Sequence, residues 1–301
     1  MLCKFVHLGH MRNIDLKVLG LSEFSRTDPQ FYANTISEHL KSSHLHIEKP
    51  HKHNFFAAFL FTHGSGIHEI DFSSYDVKPG AVFLLSPGQA HNWRLSDDVD
   101  GILYFHSQEF YESNYIYDPL YNYSFFSNIS SRSALYLNKN RMIEIRALFK
   151  KILINHDAVL PKRNQLVLSL ITQIYIEFER MMIGDILEDI NTQNSYYSRF
   201  LEFRSLVEIH YKIQKSAAAY AELMHMSARH LNRINKQIIN KTTSEIITER
   251  VILEAKRMLL YSKANFSEIA DDLGFADYAH FSKVFKNGTG QTPTQFSKLY
   301  P

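Results

Sequence analysis

The sequence predicts an α+β protein: an N-terminal β-barrel, then linking helices, then an all-α C-terminal domain built on two helix-turn-helix units. Three observations predict it. Short apolar segments between His51 and His106 are separated by regularly spaced turn residues. At about Asn138 the apolar period becomes helical. Beyond Phe200 the pattern is helical throughout, and a helix, a tight turn and a second helix with a polar outer face occur twice.

A chain of 301 residues that is 45% hydrophobic exceeds what one core usually serves, so two folded domains are expected. The single cysteine, Cys3, excludes an internal disulfide framework and any zinc site needing several thiolates. Met1 to His10 lacks the apolar stretch of a signal peptide, and the longest apolar run, Phe55 to Phe61, is far shorter than the ~18 residues of a membrane span. The expectation is a cytoplasmic chain with no membrane partner. The formal net charge of +2 does not by itself point to nucleic acid. Its distribution is more informative: from residue 200 onward 14 Lys/Arg face 10 Asp/Glu, which leaves the rest of the chain at −2.

In the first part, the turns fall at Gly64-Ser65-Gly66, Pro79-Gly80, Pro87-Gly88 and Asp97 to Gly101, and the segments between them are rich in Phe, Ile, Val, Leu and Tyr. That spacing suits a barrel or sandwich. A helix from about Asn138 carries Met142, Ile145, Leu148, Phe149 and Ile152 on one face. A second begins after Pro161, with Leu166, Leu170, Ile174, Phe178 and Met181 as its stripe, widened by Val167, Ile171 and Tyr175. The stripe is either an interface with a second copy of the chain or internal core. Gly184 to Ser198, with Asn191, Thr192, Gln193, Asn194 and Ser195 in a row, reads as a linker.

In the first helix-turn-helix, Ser216 caps a helix over Ala217 to Met224, His225-Met226 form the turn, and Ser227 caps a helix reaching about Ile238. Leu231, Ile234 and Ile238 face inward at helical spacing, which leaves Ala228, Arg229, Asn232, Arg233 and Lys236 outside. In the second, Asn265 with Glu268 makes a capping pair, Gly274 ends the helix in the left-handed conformation, and Phe275 plugs the turn. Asp277 starts the next helix, with Phe281, Val284 and Phe285 inward and Tyr278, Ala279, His280, Ser282, Lys283 and Lys286 outward. Between the units, Thr243 to Tyr261 reads as one long helix that would space two reading heads.

The runs Glu249 to Leu260, Ser267 to Phe275, His280 to Lys286 and Gly290-Gln291-Thr292-Pro293 resemble the signature of the AraC/XylS family of transcription regulators, over about a third of the chain. The resemblance implies two recognition helices in successive major grooves on one face of duplex DNA, about 34 Å apart. The DNA-contacting set is then Ser227, Ala228, Arg229, Asn232, Arg233 and Lys236 with Tyr278, Ala279, His280, Ser282, Lys283 and Lys286. Arg229, Arg233, Asn232 and His280 are candidates for base edges, and Lys236, Lys283 and Lys286 for phosphates. This sequence departs from the family at Asn235, where an aromatic is usual, and at Asn240, where glycine is usual. Asn tolerates the left-handed conformation, so the second departure preserves the turn.

Pro50-His51-Lys52-His53, Gly64-Ser65-Gly66, Lys78-Pro79-Gly80 and Ser86 to His91 resemble the cupin-type effector domain found ahead of such DNA-binding units. Nine of the 16 histidines lie between His39 and His106. His51 and His53 alternate onto one strand face, and His91 could join them. Metal-binding cupins place a carboxylate shortly after the His pair; here Ala57 and Ala58 stand there, so neither metal nor cofactor is expected. His51, His53, His91, Trp93 and Tyr104 are candidates for contact with a small organic effector, or equally for barrel-mouth hydrogen bonds and ordinary core.

The expected organisation is an effector-sensing domain over 1–136, linking or dimerisation helices and linker over 137–198, and the DNA-binding domain over 199–301. The expected function is sequence-specific transcription regulation, activation being the commoner mode, with promoter DNA, a small molecule, RNA polymerase and a second copy of the chain as partners, and with no enzymatic role. Two rivals remain: a cupin enzyme with a DNA-binding tail, and a ligand-independent DNA-binding protein whose barrel only dimerises, which a solidly filled barrel would favour.

Overall fold

The computed structural model describes residues 16–25, 28–47, 49–113, 120–126, 133–157, 159–183 and 190–299. Cys3, Met1 to His10 and the Gly184 end of the expected linker lie outside them. The chain divides into two compact units, one spanning Lys17–Asn191 and the other holding Thr192–Pro301.

The first unit contains β1 (Val18–Leu19), β2 (Phe31–Thr35), α1 (Ile36–Ile47), β3 (Lys52–His53), β4 (Phe56–His63), β5 (Gly66–Ile70), β6 (Ser73–Val77), β7 (Ala81–Leu85), β8 (His91–Leu95), β9 (Asp100–His106), α2 (Gln108–Glu112), β10 (Ala134–Tyr136), α3 (Lys139–Asn155) and α4 (Arg163–Ile183). A five-stranded sheet runs β10-β7-β4-β9-β2, a three-stranded one β6-β5-β8, and β1 pairs in parallel with β3. The four turns expected from the sequence fall between these strands.

Strand β4 explains how the unit is layered. Its alternate side chains serve two cores: Ala57, Phe59 and Phe61 pack with Phe83, Trp93 and Phe105 inside the barrel. Phe56, Ala58 and Leu60 pack with Ile145, Phe149, Ile152, Ile171, Ile174 and Phe178 of α3 and α4. A strand covered on both faces has no polar side to show, so its sequence is a continuous apolar run rather than an alternation.

Helices α3 and α4 follow the sequence expectation: Asn138 Oδ1 caps α3 by accepting the Arg141 N–H, and α4 starts just after Pro161. The α4 stripe is internal core of this unit. Leu170, Ile174 and Phe178 are at most 6% exposed, whereas Leu166, at its start, is 46% exposed. Helix α1 was not expected, although its sequence marks it: Thr35 Oγ1 accepts the Glu38 N–H at 3.2 Å, a Thr-x-x-Glu start.

The second unit is helical: α5 (Ile190–His210), α6 (Ala217–Leu223), α7 (Ala228–Ile239), α8 (Thr243–Tyr261), α9 (Phe266–Asp272), α10 (Tyr278–Thr289) and α11 (Pro293–Leu299). The expected linker is corrected here, because α5 already begins at Ile190. Tertiary anchors override the weak propensity of the Asn/Thr/Gln/Ser run: Phe200, Phe203 and Val207 are buried and Tyr196 lies against α7. The basic excess is corrected too. Arg204, Arg250 and Arg257 are at most 5% exposed, so these three belong to the interior and not to a DNA-facing surface. Arg250 Nε donates to Glu208 at 2.8 Å, its Nη1 donates to Glu254 at 3.1 Å, and its guanidinium lies 3.8 Å from the Tyr211 ring centre. Burial works against its charge, but the two carboxylates outweigh it and raise its pKa.

Candidate nucleic-acid interface and barrel cavity

The two helix-turn-helix units are built alike. In the first, α6 ends at Leu223 with Met224 as its C-cap, His225 takes φ +53° and the Met226 N–H donates to Ala221 O at 2.9 Å. In the second, α9 ends at Asp272 with Leu273 as its C-cap, Gly274 takes φ +69° and the Phe275 N–H donates to Ala270 O at 2.9 Å. Gly274 is required twice over, by its left-handed backbone and because a Cβ there would collide with the Lys212 carbonyl oxygen, 2.0 Å away. Asn265 and Glu268 form the expected capping box. Ser227 caps α7 and Asp277 caps α10, each accepting the N–H of a residue three further on.

These caps fix which faces of α7 and α10 look outward. Ser227, Ala228, Arg229, Arg233 and Lys236 are exposed on α7 and its cap, and Ala279, His280, Lys283 and Lys286 on α10. Tyr278 and Ser282 are half-buried; the Tyr278 ring stacks on Phe266 and its hydroxyl meets Thr294 Oγ1 at 3.4 Å. Asn232 is half-buried as well, and its Oδ1 accepts the Thr243 N–H at 3.0 Å. Asn235 is fully buried and donates to Thr243 Oγ1 at 3.0 Å. The two asparagines clamp the start of α8, so the departure at Asn235 exchanges an aromatic plug for a polar joint. Asn240 takes φ +54°, the left-handed turn its identity suggested. Helix α8 then runs unbroken for 19 residues, about 28 Å.

In the barrel unit, a cavity of about 20 Å³, room for one water-sized molecule, is lined by Leu19, Phe24, His39, His51, His53, Phe55, Phe59, His91, Trp93 and Phe105. Four of the five effector candidates meet there. The fifth, Tyr104, does not: alternation along β9 sends Leu103 and Phe105 into the barrel and Tyr104 to the opposite face, against Phe149 of α3. His39 was missed, as was His68, which sits behind His91 with Nε2 at 3.0 Å from His91 Nδ1. Their place depends on non-local pairing, notably His68 opposite Trp93, which sequence spacing does not reveal.

The histidines are held by backbone. His51 and His91 face each other across an antiparallel bridge, with N–H to O distances of 3.1 and 2.9 Å. His51 Nδ1 lies 3.0 Å from Lys49 O and His53 Nδ1 2.7 Å from Phe55 O. Those carbonyls can only accept, so each Nδ1 carries the hydrogen and each Nε2 presents a lone pair. His53 Nε2, His91 Nε2 and Trp93 Nε1 are buried without a hydrogen-bond partner. Burial first, and repulsion from His51 second, lower the pKa of His53 to about 3 and that of His39 to about 4. The same causes lower His68 and His91. The cavity therefore offers the neutral Nε2 acceptors of His51 and His53 and the Trp93 indole donor within aromatic walls, with His91 Nε2 acceptor or donor according to which way its bond to His68 runs. Among the described residues no three His, Cys, Asp or Glu are grouped to hold a metal ion, and Ala57 and Ala58 occupy the carboxylate positions, so the residues do not fit a cupin metal. No helix among them is long and apolar enough to cross a membrane.

Comparison with known proteins matches both halves. Residues 220–299 match the profile of a helix-turn-helix domain, and residues 39–109 match that of an AraC-like ligand binding domain. The HTH-type transcriptional activator RhaS of Escherichia coli (strain SE11) is 24% identical over 257 residues, 81% of this chain and 85% of that protein. RhaS of Shigella dysenteriae serotype 1 is 23% identical over the same shares. Among solved structures, ToxT from Vibrio cholerae O395 covers 91% of this chain and 99% of its own, at 15% identity and a TM-score of 0.41. With a ligand-binding profile on the barrel, a helix-turn-helix profile on the paired reading heads, and relatives aligned across both, this chain belongs to the AraC family of DNA-binding transcription regulators.

Proposed function

We propose that this chain is a sequence-specific transcription regulator, acting chiefly as an activator, whose DNA binding is controlled by a small molecule held in the barrel. The observation that carries the first half is the pair of capped helices α7 and α10, each with an exposed basic face, joined by the stiff α8. Arg229, Arg233 and His280 are assigned to base edges, and Lys236, Lys283 and Lys286 to phosphates, with Ser227, Ala228, Tyr278, Ala279 and Ser282 completing the surface. Asn232 keeps its amide N–H groups and one lone pair for DNA, its other lone pair being engaged by the Thr243 N–H.

Selection of duplexes from a randomised library by the full chain tests this. The expected product is a motif of two blocks about 10 base pairs apart. Arg229→Ala should weaken binding to that motif by about 1–3 kcal/mol, well beyond its effect on random DNA. Equal loss on both would make Arg229 a backbone contact, and selection without any motif would sink the specific-regulator reading.

For the effector, His51, His53, His91 and Trp93 supply the contacts, and a compact molecule bearing hydroxyl or amine donors suits their acceptors. Trp93 is the only tryptophan, so its emission reports occupancy directly. The small size of the cavity favours a second reading, in which the barrel is ligand-independent and serves dimerisation. Ligands that shift Trp93 emission and DNA affinity together support control by an effector; a screen in which DNA affinity never changes supports the rival. RNA polymerase is the expected partner of an activator, and the protein is expected to act in the cytoplasm; a second copy of the chain, if it pairs, does so through a surface other than the buried α4 stripe.

A further inference from the structure

The N-terminal half of α5 reaches the reading head of α7 through one side chain. Arg233 on α7 is exposed but not loose: its Nη2 donates to His230 Nδ1 at 2.8 Å, and its guanidinium lies 5.7 Å from the centre of the Tyr196 ring of α5. The Tyr196 and His230 rings meet edge-to-face at 5.6 Å with an interplanar angle of 87°. The three groups form a closed set in which each touches the other two. An arginine on an exposed helix face otherwise samples many rotamers, and restricting it before binding removes an entropy cost at the DNA. Because a guanidinium only donates, His230 must present its Nδ1 lone pair, which fixes its hydrogen on Nε2.

We propose that Tyr196 and His230 are positioning residues for DNA recognition: they hold the Arg233 guanidinium in its reading orientation, which makes the start of the DNA-binding unit α5 rather than α6. The inference rests on the assignment of Arg233 to the DNA surface. It also gives the polar Asn/Thr/Gln/Ser stretch a task, since Tyr196 is placed only where that stretch is helical.

The test is a double-mutant cycle with the full chain on the duplex selected by the unmodified protein, with random duplex as control. Tyr196→Ala is expected to weaken binding to the selected duplex by about three- to tenfold, with little effect on random DNA. In the Arg233→Ala background the same change should cost nothing further. Tyr196→Phe, which keeps the ring face, should bind normally, whereas Tyr196→Leu, which keeps apolar bulk without a π face, should behave as Tyr196→Ala does. Additive losses, or equal losses on both duplexes, would overturn the positioning role while leaving Arg233 on the DNA. Arg233→Ala without effect would overturn the assignment of Arg233 and the inference with it.

Discussion

Arg250 is buried among apolar side chains, yet it is charged, and its cost is offset by the groups around it: Glu208, Glu254 and the Tyr211 ring. Removing one partner of such a cluster leaves the others uncompensated. Arg250→Ala should therefore destabilise the helical unit by about 3–5 kcal/mol, read as a fall in its urea midpoint by circular dichroism; a change below 1 kcal/mol would mean the pair behaves as a surface one. Residues of this kind were not legible in the sequence. The run Glu249-Arg250 to Arg257 looks like an ordinary mixed-charge helix face, and only the packing of α5 against α8 turns Arg250 inward. By contrast Asn240 and Gly274 were legible, because their left-handed conformations follow from residue chemistry with no need of distant neighbours.

In the helical unit, elements were legible where local chemistry marks their ends, whereas the equally marked α1 was hidden among the strands of the first unit. Helices α7, α8, α9 and α10 start at the caps that Ser227, Thr242, Asn265 and Asp277 provide. Helix α5 was cut short in the sequence reading because its early residues have poor helix propensity and its anchors lie on another helix. The α4 stripe left two destinations open, and burial of Ile174 and Phe178 beneath the five-stranded sheet decides what substitution there does. Ile174→Glu places an unpaired carboxyl in that core and should unfold the barrel unit rather than dissociate a dimer, by about 3 kcal/mol or more. A folded variant with altered sedimentation would show instead that this face meets a second copy.

At the scale of the whole molecule, pH separates the two units. His39, His53 and His106 have folded pKa values of about 4, 3 and 4, below the ~6.5 of an unfolded chain. The unfolded state takes up protons first, so stability is complete above pH 6.5 and is lost as pH falls toward 4. Trp93 emission, which reports the barrel alone, should show a denaturation midpoint that drops across that window; a flat profile would mean the histidines become solvated. Two folded parts are expected from the chain's length, but the change of period at Asn138 falls inside the first unit, and the division between the units falls after Asn191. Helices α3 and α4 read as linkers in sequence because their partner, the outer face of β4, ends at residue 63, 76 residues before α3 begins and 100 before α4 begins.

The double-sided burial of β4 has a consequence for how the chain is made. Residues 56–63 are synthesised well before α3 and α4, and until those helices leave the ribosome the row Phe56, Ala58, Leu60 lacks much of its cover, Tyr121 and Phe126 meeting only the Phe56 end of it. A bare apolar face on a sheet is a hydrophobic patch that invites association between chains. A fragment ending at 136 should therefore collect in inclusion bodies to a greater extent than one ending at 191, read as the soluble fraction on expression.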